Sequence, residues 1–334
     1  MNPSQKPLER CFRQWEATAL LEKSVLRVRS SSLIGSREST PVSGQRKLEI
    51  SSGGRFDKTP TLEERAKIPS MLFFTVLNRV RQTGICQLSY SGGTVFKGPQ
   101  LRQLISLSTS IIVDSGGGLS PASCSSLLNL NEQVVEALEV CSNSGSGCPV
   151  QSLILCNAPL RSPHASLLAT VLQRSRKSSN LALVSVVLAN VPLALTSVVS
   201  LACALAQSPS CLQQLVLERC QVGSAGASAL FEALTYNRAL WKLDLSGNHI
   251  GDAACPALAR SLLAGSAVRV LALSRNSLSD RGVLGYLSPA LGSSRLETLV
   301  LLQNPRVSSL CSASLHQAAA SSGDLIRVLS DGGL

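Results

Sequence analysis

The sequence predicts an α/β solenoid, with parallel strands along a concave face, helices over the convex face and a helical cap at the N-terminal end. Three observations predict it. Strand, turn and helix signals recur at fixed intervals. The apolar spacing inside each interval switches from a period of two to one of three to four. Aromatic residues make up only 3% of a chain that is 44% hydrophobic, which suits a core of stacked Leu, Val and Ala.

The clearest interval is Leu240-Trp-Lys-Leu-Asp-Leu-Ser-Gly-Asn-His-Ile-Gly-Asp252. Leu243 and Leu245 alternate as one buried face of a strand, and the alternation stops at Asn248. An Asn there is able to turn its amide onto backbone groups that a tight turn leaves unpaired. Asp252 stands where a helix N-cap belongs, ahead of the helical spacing Leu258, Leu262, Leu263. The frame returns at Leu212 (Leu215, Leu217, Cys220, Val222), Val268 (Leu271, Leu273, Asn276, Leu278) and Leu296 (Leu299, Leu301, Asn304), 28 residues apart each time. Upstream it is placed at Leu181 (Val184, Val186, Ala189, Val191) and Val150 (Leu153, Leu155, Ala158, Leu160), at a spacing of 31. Leu230 and Leu234 answer to Leu258 and Leu262 and to Leu168 and Leu172, and the same offset puts Val199 and Cys203 on the inner side of a helix.

With these residues in place, 150–310 resembles the leucine-rich-repeat family, in its ribonuclease-inhibitor-like class, which has the same period and Asn or Cys at the turn, as Cys220 and Asn248 are here. The resemblance implies a curved stack of repeats that works by binding other proteins. It also implies an alternative, regulation of a small GTPase, because Ran GTPase-activating proteins share the repeat class. Those proteins carry a strongly acidic tail, whereas this chain reads Leu-Ser-Asp-Gly-Gly-Leu334 and has a net charge of +11. Binding of a basic ribonuclease calls for an acidic face, and the face here is mixed.

Three regions follow. Residues 1–44 read as an amphipathic cap helix, Leu8 to Leu21 with Phe12, Trp15 and Leu20 as apolar contacts, and then a Ser-rich linker over 30–44. The basic Arg27 and Arg29 and the pair Thr40-Pro41 make that linker a candidate for phosphorylation. Residues 45–149 read as degenerate repeats, with strands at Lys47–Ile50, Ile85–Tyr90 and Ser110–Val113 and helices at Met71–Val80, Gln100–Leu107 and Leu127–Val140. Residues 150–334 are the regular repeats with a C-terminal cap. Ser120-Pro121 and Ser162-Pro163 read as N-cap Ser followed by Pro in the first helical turn. Ser91–Gly98 lacks the spacing of a phosphate loop and reads as a turn.

The uncharged run from Ser178 to Leu217 has the hydropathy of a membrane span. Asn190 and Pro192 fall in its middle, however, and the repeats continue on both sides, so it is predicted to be a buried central repeat.

Composition narrows the function further. Eleven Cys without C-x-x-C pairs predict packing thiols, Cys220 and Cys203 among them, and a reducing, cytoplasmic setting. The order of a helical start, irregular repeats and regular repeats is similar to leucine-rich-repeat proteins of the centrosome, basal body and cytoskeleton. Basic residues are not interleaved with aromatics, and Arg174, Arg176 and Lys177 sit where a helix ends, so no nucleic-acid partner is expected. His164 (helix start), His249 (turn) and His316 (last helix) form no triad, and no catalytic, cofactor or metal motif is present. The expected function is a scaffold that binds another protein, its partner unspecified, through residues projecting between the core Leu. The site residues are Glu218, Arg219, Trp241, Lys242, Asp244, Arg269, Arg275 and Glu297. Val216 is expected on the same face, and Trp241 is its centre, because an outward Trp among charges has hot-spot composition.

Overall fold

The computed structural model describes residues 62–89, 96, 98–114, 130–143, 148–175, 181–207, 211–321 and 326–331. The expected cap helix, the Ser-rich linker, the strand at 47–50, most of the 91–98 turn and Ser120-Pro121 lie outside them.

Each described repeat runs strand, turn, helix, because its apolar residues alternate and then shift to helical spacing. Helix α1 (Leu62–Thr83) leads to β1 (Ile85–Ser89), α2 (Gly98–Leu107), β2 (Ser110–Asp114) and α3 (Leu130–Asn143). Then come β3 (Ser152–Cys156), α4 (Ser162–Arg174), β4 (Ser185–Ala189), α5 (Leu195–Ala206), β5 (Gln214–Glu218) and α6 (Gly223–Leu234). The last units are β6 (Lys242–Asp244), α7 (Cys255–Leu263), β7 (Val270–Ala272), β8 (Thr298–Val300), α8 (Ser309–Ser321) and β9 (Arg327–Leu329). Between β7 and β8 the helical stretch is broken into Asp280–Gly282, a π-wound Val283–Leu287 and Ser288–Leu291.

Among the described residues, nine strands form one parallel sheet whose spatial order is the chain order. This is a leucine-rich-repeat solenoid. Residues 85–114 enter the same sheet as the regular repeats, since β1 and β2 pair in register with each other and β2 with β3. One buried row runs across every strand: Cys86, Ile111, Leu153, Val186, Leu215, Leu243, Leu271, Leu299 and Val328. The 28-residue period holds from Leu215 to Leu299.

Upstream, the frame differs from its expected position. Leu153 pairs with Val186 and Val186 with Leu215, which makes the intervals 33 and 29 rather than 31 and 31. The repeat expected to begin at Leu181 therefore begins at Leu183, with Val186 and Leu188 buried and Val184 half-buried. A slip of two residues is invisible on a strand, whose faces alternate with period two, but rotates a helix by roughly 200°. Hence Leu201 and Leu205, not Val199 and Cys203, face the core, and Cys203 is an exposed thiol. Among the described residues no helix is long and apolar enough to cross a membrane, and 181–206 resolves into an isolated bridge, β4 and α5.

The turns follow the Asn reading closely. Asn248 Oδ1 accepts the N–H of Cys220 (2.8 Å) and of Val222 (3.2 Å), and its amide donates to the carbonyls of Leu217 and Ser246. Asn276 repeats this one unit on, accepting from Asn248 N and Ile250 N (both 3.0 Å) and donating to Leu245, Leu273 and Ser274. Asn304 bonds Leu278 N, Leu273 O and Leu301 O in the same manner. In the unit before Asn248, Cys220 donates its thiol to Leu188 O (3.2 Å), and burial pushes that thiol up to about 12. In the unit of Ala158, the turn carbonyl instead takes a bond from the buried Asn131 of α3 (3.0 Å).

Asp252 does not cap its own helix. It opens a short 3-10 turn, Asp252–Ala254, without a side-chain cap, and its carboxylate reaches forward to Ser279 N (2.8 Å) and Ser279 Oγ. Asp280, 28 residues later, likewise accepts Ser308 N at 2.7 Å, a bond that holds its carboxyl below the usual range. Ser224, 28 residues earlier, accepts Gly251 N. The side chain that a single repeat would use as a cap instead ties successive repeats together. Gly282 makes room for it: a Cβ there would stand 2.7 Å from Asp252 Cγ. Gly282→Ala is expected to cost about 1–3 kcal/mol by overpacking, read as a lowered thermal midpoint, whereas Gly285→Ala, with open space at its Cβ, should be close to neutral. Equal midpoints would refute this account of Gly282. Ser162 is likewise the first helical residue of α4 rather than its N-cap, which is Arg161.

Candidate protein-interaction surface

The pleat turns alternate strand residues, and the residue that enters each strand, toward the sheet side. Gln213, Trp241, Arg269 and Glu297 form the entering row, tied by Trp241 N to Gln213 O (3.0 Å), Arg269 N to Trp241 O (2.8 Å) and Glu297 N to Arg269 O (2.8 Å). Arg269 and Glu297 pair at 3.0 Å, both about half exposed, so the pair contributes roughly 0–1 kcal/mol and chiefly sets orientation. Trp241 stands between Gln213 and Arg269 and is half-buried rather than fully outward. Lys242 lies beside Gln214 and Val270, and Asp244 beside Val216 and Ala272. The Asp244 carboxylate is already bound to Ser246 N at 2.9 Å. Val216 is buried, only 6% exposed, and does not belong to the open face.

Glu218 ends β5, and its carboxylate lies 3.7 Å from Arg219 Nε. Arg219 and Arg275 leave the sheet. Both have positive φ (53° and 55°), as do Asn157, Asn190, Gly247 and Gln303 at the corresponding point of their own repeats. That left-handed residue turns the chain out of the strand, so its side chain lies along the turn edge of the solenoid. Of the eight site residues, Trp241, Lys242, Asp244, Arg269 and Glu297 are therefore adjacent on β6–β8 and their approaches. Glu218 sits at a strand end, and Arg219 and Arg275 sit at the edge.

Two arrangements were not visible in the sequence. At the turn edge, Asp114, Asn157 and Asn190 form a side-chain relay, with Asn190 Nδ2 donating to Asn157 Oδ1 (3.1 Å) and Asn157 Nδ2 to Asp114 Oδ1 (2.6 Å). Between α3 and α4, the buried Glu132 accepts Arg161 through Nε (2.7 Å), Nη2 (2.6 Å) and the backbone N–H (3.1 Å). His164 is buried beside it, with Nδ1 3.3 Å from Glu132 and Nε2 2.9 Å from Glu136. The only sequence signal was an acid in the first turn of α3 and a base before α4; their meeting depends on the helix-to-helix register. His249 is exposed and His316 half-buried in α8. Among the described residues, no cluster of three or more His, Cys, Asp or Glu is placed to hold a metal ion.

Residues 208–231 and 236–259 match the family model described as Leucine Rich repeat. The matched stretches centre on the turn residues Cys220 and Asn248. A chain from the crystal structure of the Rad7 and Elc1 complex in yeast aligns at 16% identity and a TM-score of 0.47, over 73% of this chain and 58% of that one. A chain from the TLR13–ssRNA13 complex aligns at 19% identity and a TM-score of 0.37, over 65% of this chain and 25% of that one. The protein thus spans less than two thirds of the length of either chain. No curated protein matches it.

Proposed function

We propose that the protein is a non-catalytic scaffold of the ribonuclease-inhibitor-like class that binds another protein through the solvent side of β6–β8. One observation carries the reading: Trp241, Arg269 and Glu297 lie side by side where the chain enters three adjacent parallel strands, with Lys242 next to Trp241 on β6. A half-buried Trp offers a large contact area with little entropy left to lose, and flanking charges set orientation and encounter rate. The 28-residue interval and the turn Asn support the subclass. The division at residues 44 and 149 belongs to the same reading, with 150–334 as the binding part.

The test is capture from cell extract with mass spectrometry, using the full chain against Trp241→Ala/Lys242→Glu, both checked for folding by circular dichroism. Selective loss of a partner by at least about tenfold is the expected result for a hot-spot residue. Retention of every partner would place binding elsewhere. A small GTPase among the proteins lost would turn the reading toward GTPase regulation.

A further inference from the structure

The turn edge of the C-terminal repeats carries cations whose natural counterions in this protein are already committed. Arg219 and Arg275 stand in the left-handed position two repeats apart, separated by Gly247. A Cβ at Gly247 would lie 2.8 Å from Arg219 Cγ, so the Arg219 side chain runs across the glycine toward the repeat of Arg275. Arg275 in turn donates Nε to Gln303 of the next repeat. Arg306 joins the same edge, because it bridges Ser279 and its carbonyl accepts Asp280 N–H at 3.2 Å. Arg281 lies two residues beyond Ser279, in the short helical turn Asp280–Gly282. All four arginines are exposed, and among the described residues neither Arg275, Arg281 nor Arg306 forms an ion pair.

The acids of this edge are engaged with neighbouring backbone N–H groups. Asp252 is held by Ser279, Asp280 by Ser308 N, and Asp331 accepts Gln303 N. Among the described residues, Glu218 is the acid that pairs with an edge arginine, at 3.7 Å from Arg219. The repeats thus spend their carboxylates on backbone N–H groups and leave the guanidinium groups to solvent. We propose that this edge is a docking surface for an acidic segment of a partner protein, distinct from the sheet face. Adjacent repeats are about 4.8 Å apart, so Arg219 and Arg275 are about 10 Å apart, near the rise of one three-residue turn of polyproline II chain. A peptide in that conformation lying along the edge turns a carboxylate or phosphate at every third residue to the same side, and the planar fork of Arg suits both groups. The proposal does not depend on the sheet-face reading, since none of the arginines it requires projects from a strand.

The test is fluorescence anisotropy on the full chain with a labelled peptide bearing Glu at every third residue, at several salt concentrations. Arg275→Gln/Arg281→Gln/Arg306→Gln is expected to weaken binding by about tenfold, and the wild-type affinity to fall steeply as salt shortens the screening length. Arg79→Gln/Arg81→Gln/Arg102→Gln removes equal charge from α1 and α2 and is expected to leave binding unchanged. Binding that survives the edge substitutions, or falls equally with both sets, overturns the proposal. So does a single-stranded oligonucleotide or an anionic vesicle that outcompetes the peptide at this edge. Thermal melts of all variants separate loss of the surface from loss of the fold.

Discussion

Asn248→Ala is expected to destabilise the protein by about 3–4 kcal/mol, near the upper end for a single substitution. The side chain satisfies two buried N–H groups, of Cys220 and Val222, and two carbonyls, of Leu217 and Ser246. Alanine orphans these groups at once in a turn that is closed to water, and each orphan costs about 1–3 kcal/mol before the turn relaxes. Asn248→Cys should lose about half as much, since Cys220 holds the same place one repeat earlier and still donates its thiol to a carbonyl. Urea unfolding gives the totals, and hydrogen exchange over β5 and β6 shows where protection is lost, because a solenoid opens regionally. An alanine variant within about 0.5 kcal/mol of wild type would mean that the turn is held by something other than its Asn.

Glu132→Ala is expected to cost about 2–3 kcal/mol, less than the full price of breaking a buried ion pair, because the stranded Arg161 is 55% exposed and regains water. The pH dependence has a definite sign. Burial pushes the Glu132 carboxyl up, but the Arg161 side chain and N–H, with His164 nearby, outweigh it and leave the carboxyl below its ordinary 4.5. A depressed folded-state value contributes stability that is present above about pH 4.5 and is lost as pH falls through the lower, folded value. The wild type should therefore lose stability more steeply than Glu132→Gln on acidification below that point, and the two should run parallel above it. Parallel denaturation profiles at all pH values would show that the buried carboxylate is energetically idle.

Much of the fold was legible in the sequence because repetition is a local signal. Leu243, Leu271 and Leu299 occur at one interval, and each is a strand residue whose alternation is visible over a few positions. The same signal misplaced Cys203. Between β3 and β5 the interval changes to 33 and then 29, and a strand pattern of period two cannot detect a shift of two. Only the packed helix, whose period is 3.6, distinguishes Leu201 from Val199. The candidate surface divides along the same line. That Arg269 and Glu297 are exposed, and Trp241 and Lys242 partly so, follows from the positions between core Leu. That Arg219 and Arg275 turn off the sheet follows from a backbone angle that no side-chain pattern records.

The sequence by itself determined the repeating unit, its strand and helix, the turn Asn and the order of the sheet, all of which depend on neighbours within one interval. Tertiary structure alone decided where Asp252 and Asp280 spend their carboxylates, which acid meets Arg161, and which arginines share an edge. Those outcomes depend on distances of about 5 Å between residues some 28 positions apart, and such distances exist only once the repeats have stacked.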